Sequence, residues 1–295
     1  MTDATTETHH ANASGMDMRP LPAVAAELCA AQCDAAAVVG RAAEGLARAA
    51  QALAASVREG GRLIYAAAGS SGLMALADAA EIGGTFGIAP AQVRILMAGG
   101  IPTDASMPGG TEDETAGLAA GLSDATARDT AIILSASGTT PYALEAMALA
   151  KARGAAVVAI ANNPATPLLT GADHAICLQT PPELLAGSTR MGAGTAQKIA
   201  LNTLSTLMAI ELGHVYDGMM VNLVADNEKL RLRALGIVCT IAGVSADTAR
   251  DALGRAEGQV KPAIVMAATG CDAQTARGML EAAQGNLRVA LSKQT

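Results

Sequence analysis

Two short stretches combine glycine with hydroxyl side chains: Gly69-Ser70-Ser71-Gly72, and Ser135-Ala136-Ser137-Gly138-Thr139-Thr140-Pro141. Each follows an apolar, β-rich run and precedes an Ala/Leu-rich helical segment. Glycine lets a ligand approach the backbone, hydroxyls donate, and a helix N-terminus offers free N–H groups at the positive end of its dipole. That chemistry suits an oxyanion, most simply a phosphate held by Ser70, Ser71, Ser135, Ser137, Gly138, Thr139 and Thr140. One such loop reads more simply as a helix cap, but two at equivalent strand ends favour phosphate. The chain has no Walker lysine and no G-x-G-x-x-G, so nucleoside triphosphates and dinucleotides are poor fits.

Two carboxylates stand near these loops in sequence. Glu81 precedes Gly83-Gly84, at the expected end of a helix that starts near Ser71, where the negative dipole end disfavours ionisation. Glu112 follows Gly109-Gly110-Thr111. Thr111 with Glu114 resembles a capping box, which puts Glu112 in a first helical turn that favours its charged form. One carboxyl tuned as acid and one as base is the division that eliminating an ether requires. Taken alone, Glu112 reads more simply as a helix-start charge. Glu183, after the last strand, is a candidate for contacts to sugar hydroxyls. Asp78, Arg190 and Lys198 are further polar groups without an assigned part. His9-His10 has no spaced partners, so neither a metal site nor a cofactor is expected.

Five runs have the continuous apolar character of strands buried on both faces: Arg62–Ala66, Val93–Met97, Ala131–Ser135, Ala156–Ile160 and His174–Leu178. Helix-length segments between them predict an α/β fold, a five-stranded parallel sheet in three layers. Ala-rich residues 21–57 read as one or two helices, Ala193–Leu212 and Val224–Leu235 as two more, and Ser245–Leu291 as three short ones. The expected organisation is a tail with helices over residues 1–58, a sheet domain over 59–236, and a small helical domain over 237–295.

The 295 residues carry 27 Asp and Glu against 20 Lys and Arg, a net charge of −7, with 51% apolar residues and no Trp. An acidic chain without a basic tract argues against nucleic acid or an anionic membrane as partner. No run reaches the roughly 18–20 continuous apolar residues of a membrane span, and the polar N-terminus lacks a signal-peptide layout. Five cysteines without a C-x-x-C pair fit a reduced, cytoplasmic protein, with Cys29 and Cys33 expected as buried small hydrophobes.

The hydroxyl-rich S-x-S-G-x-T sheet resembles the sugar isomerase (SIS) phosphosugar-binding domain. More narrowly, AAGSSG…DAAEIGGTFG, GGTEDE, SASGTTPY, PPELLAGSTRMGAGTAQK, ADNEKLR and GNLRVAL, in this order along nearly the whole chain, resemble the N-acetylmuramic acid 6-phosphate etherases. The resemblance implies cleavage of a lactyl ether on a 6-phosphosugar without a metal, with Glu81 as proton donor to the leaving oxygen and Glu112 as the second catalytic carboxylate. It also implies a homodimer with its site at the subunit interface. Leu73, Gly83-Gly84 and Gly192 depart from the common family pattern, which often has Arg, Pro-Pro and Lys there. A non-catalytic sugar-phosphate-binding regulator and a phosphosugar aldose–ketose isomerase are the competing readings.

Overall fold

The computed structural model describes residues 5–107 and 110–292. Gly109, named above, lies outside the described residues. By its contacts the chain divides into two units, one of residues up to Ala80 with Ala91–Ser205, the other of Glu81–Pro90 with the residues from Thr206 on. Residues 206–236, expected with the sheet, thus group with the C-terminal helices.

The first unit is built on the predicted sheet. Strands β1 (Leu63–Ala67), β2 (Val93–Met97), β3 (Thr130–Ser135), β4 (Ala156–Ala161) and β5 (His174–Cys177) pair in the order β2-β1-β3-β4-β5. All pairings are parallel, with Leu63 opposite both Val93 and Thr130, Thr130 opposite Ala156, and Val158 opposite His174. Helix α1 spans Leu21–Ala37 and α2 spans Ala43–Arg58. Side chains alternate across a strand, and the two faces of β3 meet different helices. On one face Thr130 Oγ1 bonds Ser56 of α2 at 2.7 Å. On the other, Ile133 packs with Tyr142, Ala143, Ala146 and Ala150 of α5 (Pro141–Ala152). The result is three layers. Alanine at these contacts lets helices approach the sheet closely, which is how a core with so few aromatics fills its space.

The remaining elements are α3 (Gly69–Phe86), α4 (Leu118–Gly121), α6 (Pro167–Gly171) and α7 (Gly192–Glu211), then the hairpin β6 (Val215–Tyr216) and β7 (Met219–Met220). Five helices follow: α8 (Glu228–Ala242), α9 (Ala246–Arg255), α10 (Val260–Thr269), α11 (Ala273–Ala282) and α12 (Leu287–Ser292). Asn227, Ser245 and Asp272 cap α8, α9 and α11 by accepting from Leu230, Thr248 and Thr275 N–H. Val238, Val260, Ile264, Val265 and Leu287 centre the core of this unit.

Several expectations change. The tail after Ser245 holds four helices, not three, and α8 starts at Glu228 rather than near Val224. The β6–β7 hairpin was not expected. Its turn, Asp217-Gly218 with φ of 45° and 77°, is the left-handed pair that two-residue hairpins favour. Between β2 and β3 there is no long crossover helix, only a 3-10 turn over Thr111–Asp113 and the four residues of α4. Cys29 and Cys33 are exposed, because α1 buries only Ala35. Residues 21–58 do meet the length and mean apolarity of a membrane span, although Glu27, Asp34, Arg41 and Glu44 interrupt them. Leu46, Ala49, Ala50 and Leu53 of α2 are buried within the folded chain.

Candidate active site

Strand order 2-1-3-4-5 reverses direction between β1 and β3, and ligands of open parallel sheets bind beyond the strand carboxyl ends at such a point. Both hydroxyl-rich stretches leave the sheet there. After β1, Ala68 leads directly into α3, so Ser70 and Ser71 occupy its first turn rather than a preceding loop. After β3, residues 136–140 form a tight turn into α5.

Ser135 is the hub of that turn. Its buried Oγ lies 2.8 Å from Thr140 Oγ1 and 3.2 Å from Ser137 Oγ, and accepts from Gly138 N–H at 3.0 Å. Thr139 donates to Ser137 Oγ through its N–H at 3.2 Å and its hydroxyl at 3.1 Å. Thr140 holds the N-cap position of α5 yet makes no side-chain cap bond. Its hydroxyl serves the Ser135–Ser137 cluster instead, which weighs against reading the turn as a helix cap alone. Gly138 has φ +72°, and a Cβ there would sit 2.3 Å from Thr166 Oγ1. Glycine is therefore required by both backbone and space.

Ser70, Ser71, Ser135, Ser137 and Thr140 line one cavity of about 250 Å³, with Glu112 at its wall. Gly138 and Thr139 are not among its lining residues; they shape the turn. Glu112 lies in the 3-10 turn, is exposed, and places Oε1 2.7 Å from where a Cβ on Gly69 would be. Gly69 starts α3, so the carboxylate abuts the positive end of that eighteen-residue helix rather than the start of a helix of its own. Thr111 does not cap: Gly110, with φ of 74°, holds the N-cap position. Glu81 is exposed and sits on α3, which runs on through Gly83-Gly84 to Phe86. The helix-end argument for a neutral Glu81 therefore lapses.

Glu183 is placed elsewhere. It is buried, is not among the cavity-lining residues, and accepts from the N–H groups of Gly192 at 2.9 Å and Ala193 at 2.8 Å. A carboxylate across the first N–H groups of α7 neutralises unsatisfied donors and complements the dipole. This is a positioning duty, not the expected sugar contact.

Sequence reasoning missed three contributors. Glu7, Gly187 and Thr189 also line the cavity. Glu7 comes from the tail, which is held by Thr6: Asn163 Nδ2 donates to Thr6 Oγ1 at 3.1 Å, and to Ala136 O at 3.1 Å. Asn162 and Asn163, both buried after β4, thus tie the tail, the serine turn and α7 together. The polar pair directly after an apolar run was the available signal. Beneath α3, buried Asp78 accepts from Tyr65, Asn202 and Ser205 at 2.9 to 3.0 Å, and burial raises its pKa despite these bonds. No lysine or arginine lines the cavity. Among the described residues no group of three His, Cys, Asp or Glu could hold a metal ion.

Residues 112–211 match the SIS domain and residues 265–293 a UBA-like domain. Among solved structures, the c3406 protein of E. coli CFT073, crystallised as a ligand complex, has a similar fold, with TM-score 0.52 and 14% identity over 67% of this chain and 94% of that one. An N-acetylmuramic acid 6-phosphate etherase of Deinococcus radiodurans is 41% identical over 88% of this chain and 86% of its own length. Those of Streptomyces coelicolor and Bacillus subtilis are 45% and 41% identical over 75% and 72% of this chain, and 72% and 71% of their own. Likeness of this extent, joined to a sheet whose switch point carries the hydroxyl cavity, means that the chain belongs to the N-acetylmuramic acid 6-phosphate etherase family.

Proposed function

We propose that the protein is a carbon–oxygen lyase that converts N-acetylmuramate 6-phosphate and water to N-acetylglucosamine 6-phosphate and D-lactate. The observation that carries this reading is the cavity at the β1/β3 switch point: five hydroxyl side chains with a glutamate beside them, in a chain of this family. Ser70, Ser71, Ser135, Ser137 and Thr140 hold the phosphate through neutral donors. The sugar ring opens to its aldehyde, which acidifies C2. Glu112 removes the C2 proton. The C3–O bond then breaks, and Glu81 protonates the departing lactate oxygen. Water adds its hydroxyl to C3 of the unsaturated aldehyde, and C2 regains a proton. The substrate is an intermediate of amino-sugar and peptidoglycan recycling, the protein acts in the cytoplasm, and it works as a homodimer with the site at the subunit interface.

Incubating the protein with N-acetylmuramate 6-phosphate and measuring D-lactate tests the reading. Glu81→Gln should abolish lactate release while leaving C2 hydrogen exchange with deuterated solvent detectable; Glu112→Gln should abolish both. Tight phosphosugar binding without lactate would instead favour a regulator, and ketose formation an isomerase. Full turnover by Glu81→Gln would refute the assigned roles.

A further inference from the structure

The C-terminal helices contain a duplication. Residues 245–264 match residues 272–291 position by position: Thr248 with Thr275, Arg250 with Arg277, Leu253 with Leu280, Gly258 with Gly285, Ala263 with Ala290. The structure repeats too. α9–α10 and α11–α12 each begin at a side-chain cap and turn through two left-handed residues, Glu257-Gly258 and Gln284-Gly285. Fixed self-similarity of this kind marks a repeated supersecondary unit.

The two copies differ at one telling position. In the second, Arg288 ion-pairs with Asp217 at 2.5 Å and lies 4.2 Å over the Tyr216 ring. Its counterpart in the first is Lys261, only 6% exposed, whose sole hydrogen bond among the described residues runs to Gly285 O at 2.6 Å. No carboxylate answers its charge. A buried ammonium with two unused N–H groups and no counter-ion is costly, by several kcal/mol on the scale of buried ions. Lys261 lines a cavity of about 610 Å³ between the two copies, together with Asn222, Gln259, Arg277 and Glu281.

We infer that this cavity is a second ligand site, distinct from the one at the sheet, and that it takes a hydroxylated organic oxyanion, a sugar phosphate or a sugar acid. Lys261 meets the oxyanion as Arg288 meets Asp217 in the other copy. Arg277, 3.7 Å from Glu257, is the second cation in reach, and Asn222 and Glu281 offer acceptors for hydroxyl groups.

Pyridoxal 5′-phosphate is a suitable probe, since it carries an aldehyde beside a phosphate. Burial brings Lys261 down to about 8, so near that pH much of it is the free amine. The amine condenses with the aldehyde and loses water, and borohydride then delivers hydride to the imine to give a stable secondary amine. Mass mapping of the full-length protein should find Lys261 modified about tenfold faster than exposed Lys229 or more. Inorganic phosphate or acetate should slow it against chloride at equal ionic strength; stronger protection by phosphate points to a phosphate ester, by acetate to a carboxylate. Arg277→Met should reduce the preference severalfold. Lys261 reacting no faster than Lys229, or equal protection by chloride, would overturn the assignment.

Discussion

Replacing Gly138 with alanine tests whether the serine turn is built as described. Two penalties add. A non-glycine residue in the left-handed region costs roughly 1–2 kcal/mol, and Gly138 sits at φ +72°. The new Cβ would also lie 2.3 Å from Thr166 Oγ1 and 2.5 Å from Thr166 Cβ, so the turn must shift, an overpacking cost of about 1–3 kcal/mol. Together they predict a loss of about 2–5 kcal/mol, or roughly 5–15 °C in the melting temperature. Thr166 is part of the N-cap of α6, accepting from Leu169 N–H, so Thr166→Gly alone should cost about 1 kcal/mol. Combined with Gly138→Ala, it should recover the overpacking share and leave the backbone share. A double-mutant cycle by thermal or urea unfolding reads that coupling directly. The same shift displaces Ser137 and Thr140, so KM for the phosphosugar should rise more than kcat falls, because phosphate anchoring is shared by ground and transition states. Coupling near zero, with less than about 1 kcal/mol lost by the single variant, would refute this account of the turn.

Asp78 predicts a pH effect of definite sign. Its folded pKa lies above the ordinary 3.8, so folding is penalised as pH rises through 3.8 toward the folded value, and unpenalised below. Asp78→Asn removes that titration, so wild-type stability measured against the variant should decline across that window; a flat difference would contradict a buried, strained carboxyl. Glu183→Gln keeps one acceptor where two N–H bonds existed and removes the charge facing α7, so about 1–2 kcal/mol should be lost, with faster amide exchange at Gly192 and Ala193. Finally, with Glu7 and Glu112 the charged groups lining the sheet-end cavity, added salt screens repulsion of a phosphosugar. KM should stay level or fall as potassium chloride rises, and a rising KM would mean that a cation from outside these residues completes the site.

The sheet was readable because its strands are locally self-declaring. Ile64, Ile132, Ile133, Val157 and Ile160 are fully buried, and a run apolar on both faces has no other stable home in a chain of this size. Helix ends were harder to read. Gly83 and Gly84 suggested a stop after Glu81, yet a glycine inside a helix costs only about 1 kcal/mol, and buried Ile82 and Phe86 offset that by packing. The Asp217-Gly218 hairpin had a clear local signal between short apolar pairs, passed over because strands of two residues carry too little pattern to stand out from the helices around them.

For the site, residue types told more than residue duties. The hydroxyls of Ser70, Ser71, Ser135, Ser137 and Thr140 do converge on one cavity, since the ends of β1 and β3 fix where both turns begin. Glu183 shows the limit: its position after the last strand was visible, but the two N–H groups that claim it belong to residues nine and ten positions on. Glu7 shows it more sharply. Nothing near Thr6 in sequence indicates that Asn163, 157 residues away, holds it. Polar side chains are specified by the donors and acceptors that burial leaves open, and those come from whichever segments the core has already brought together. A hydroxyl cluster is therefore legible where strand ends dictate it, whereas a single carboxylate becomes legible only after every unsatisfied N–H around it has been counted.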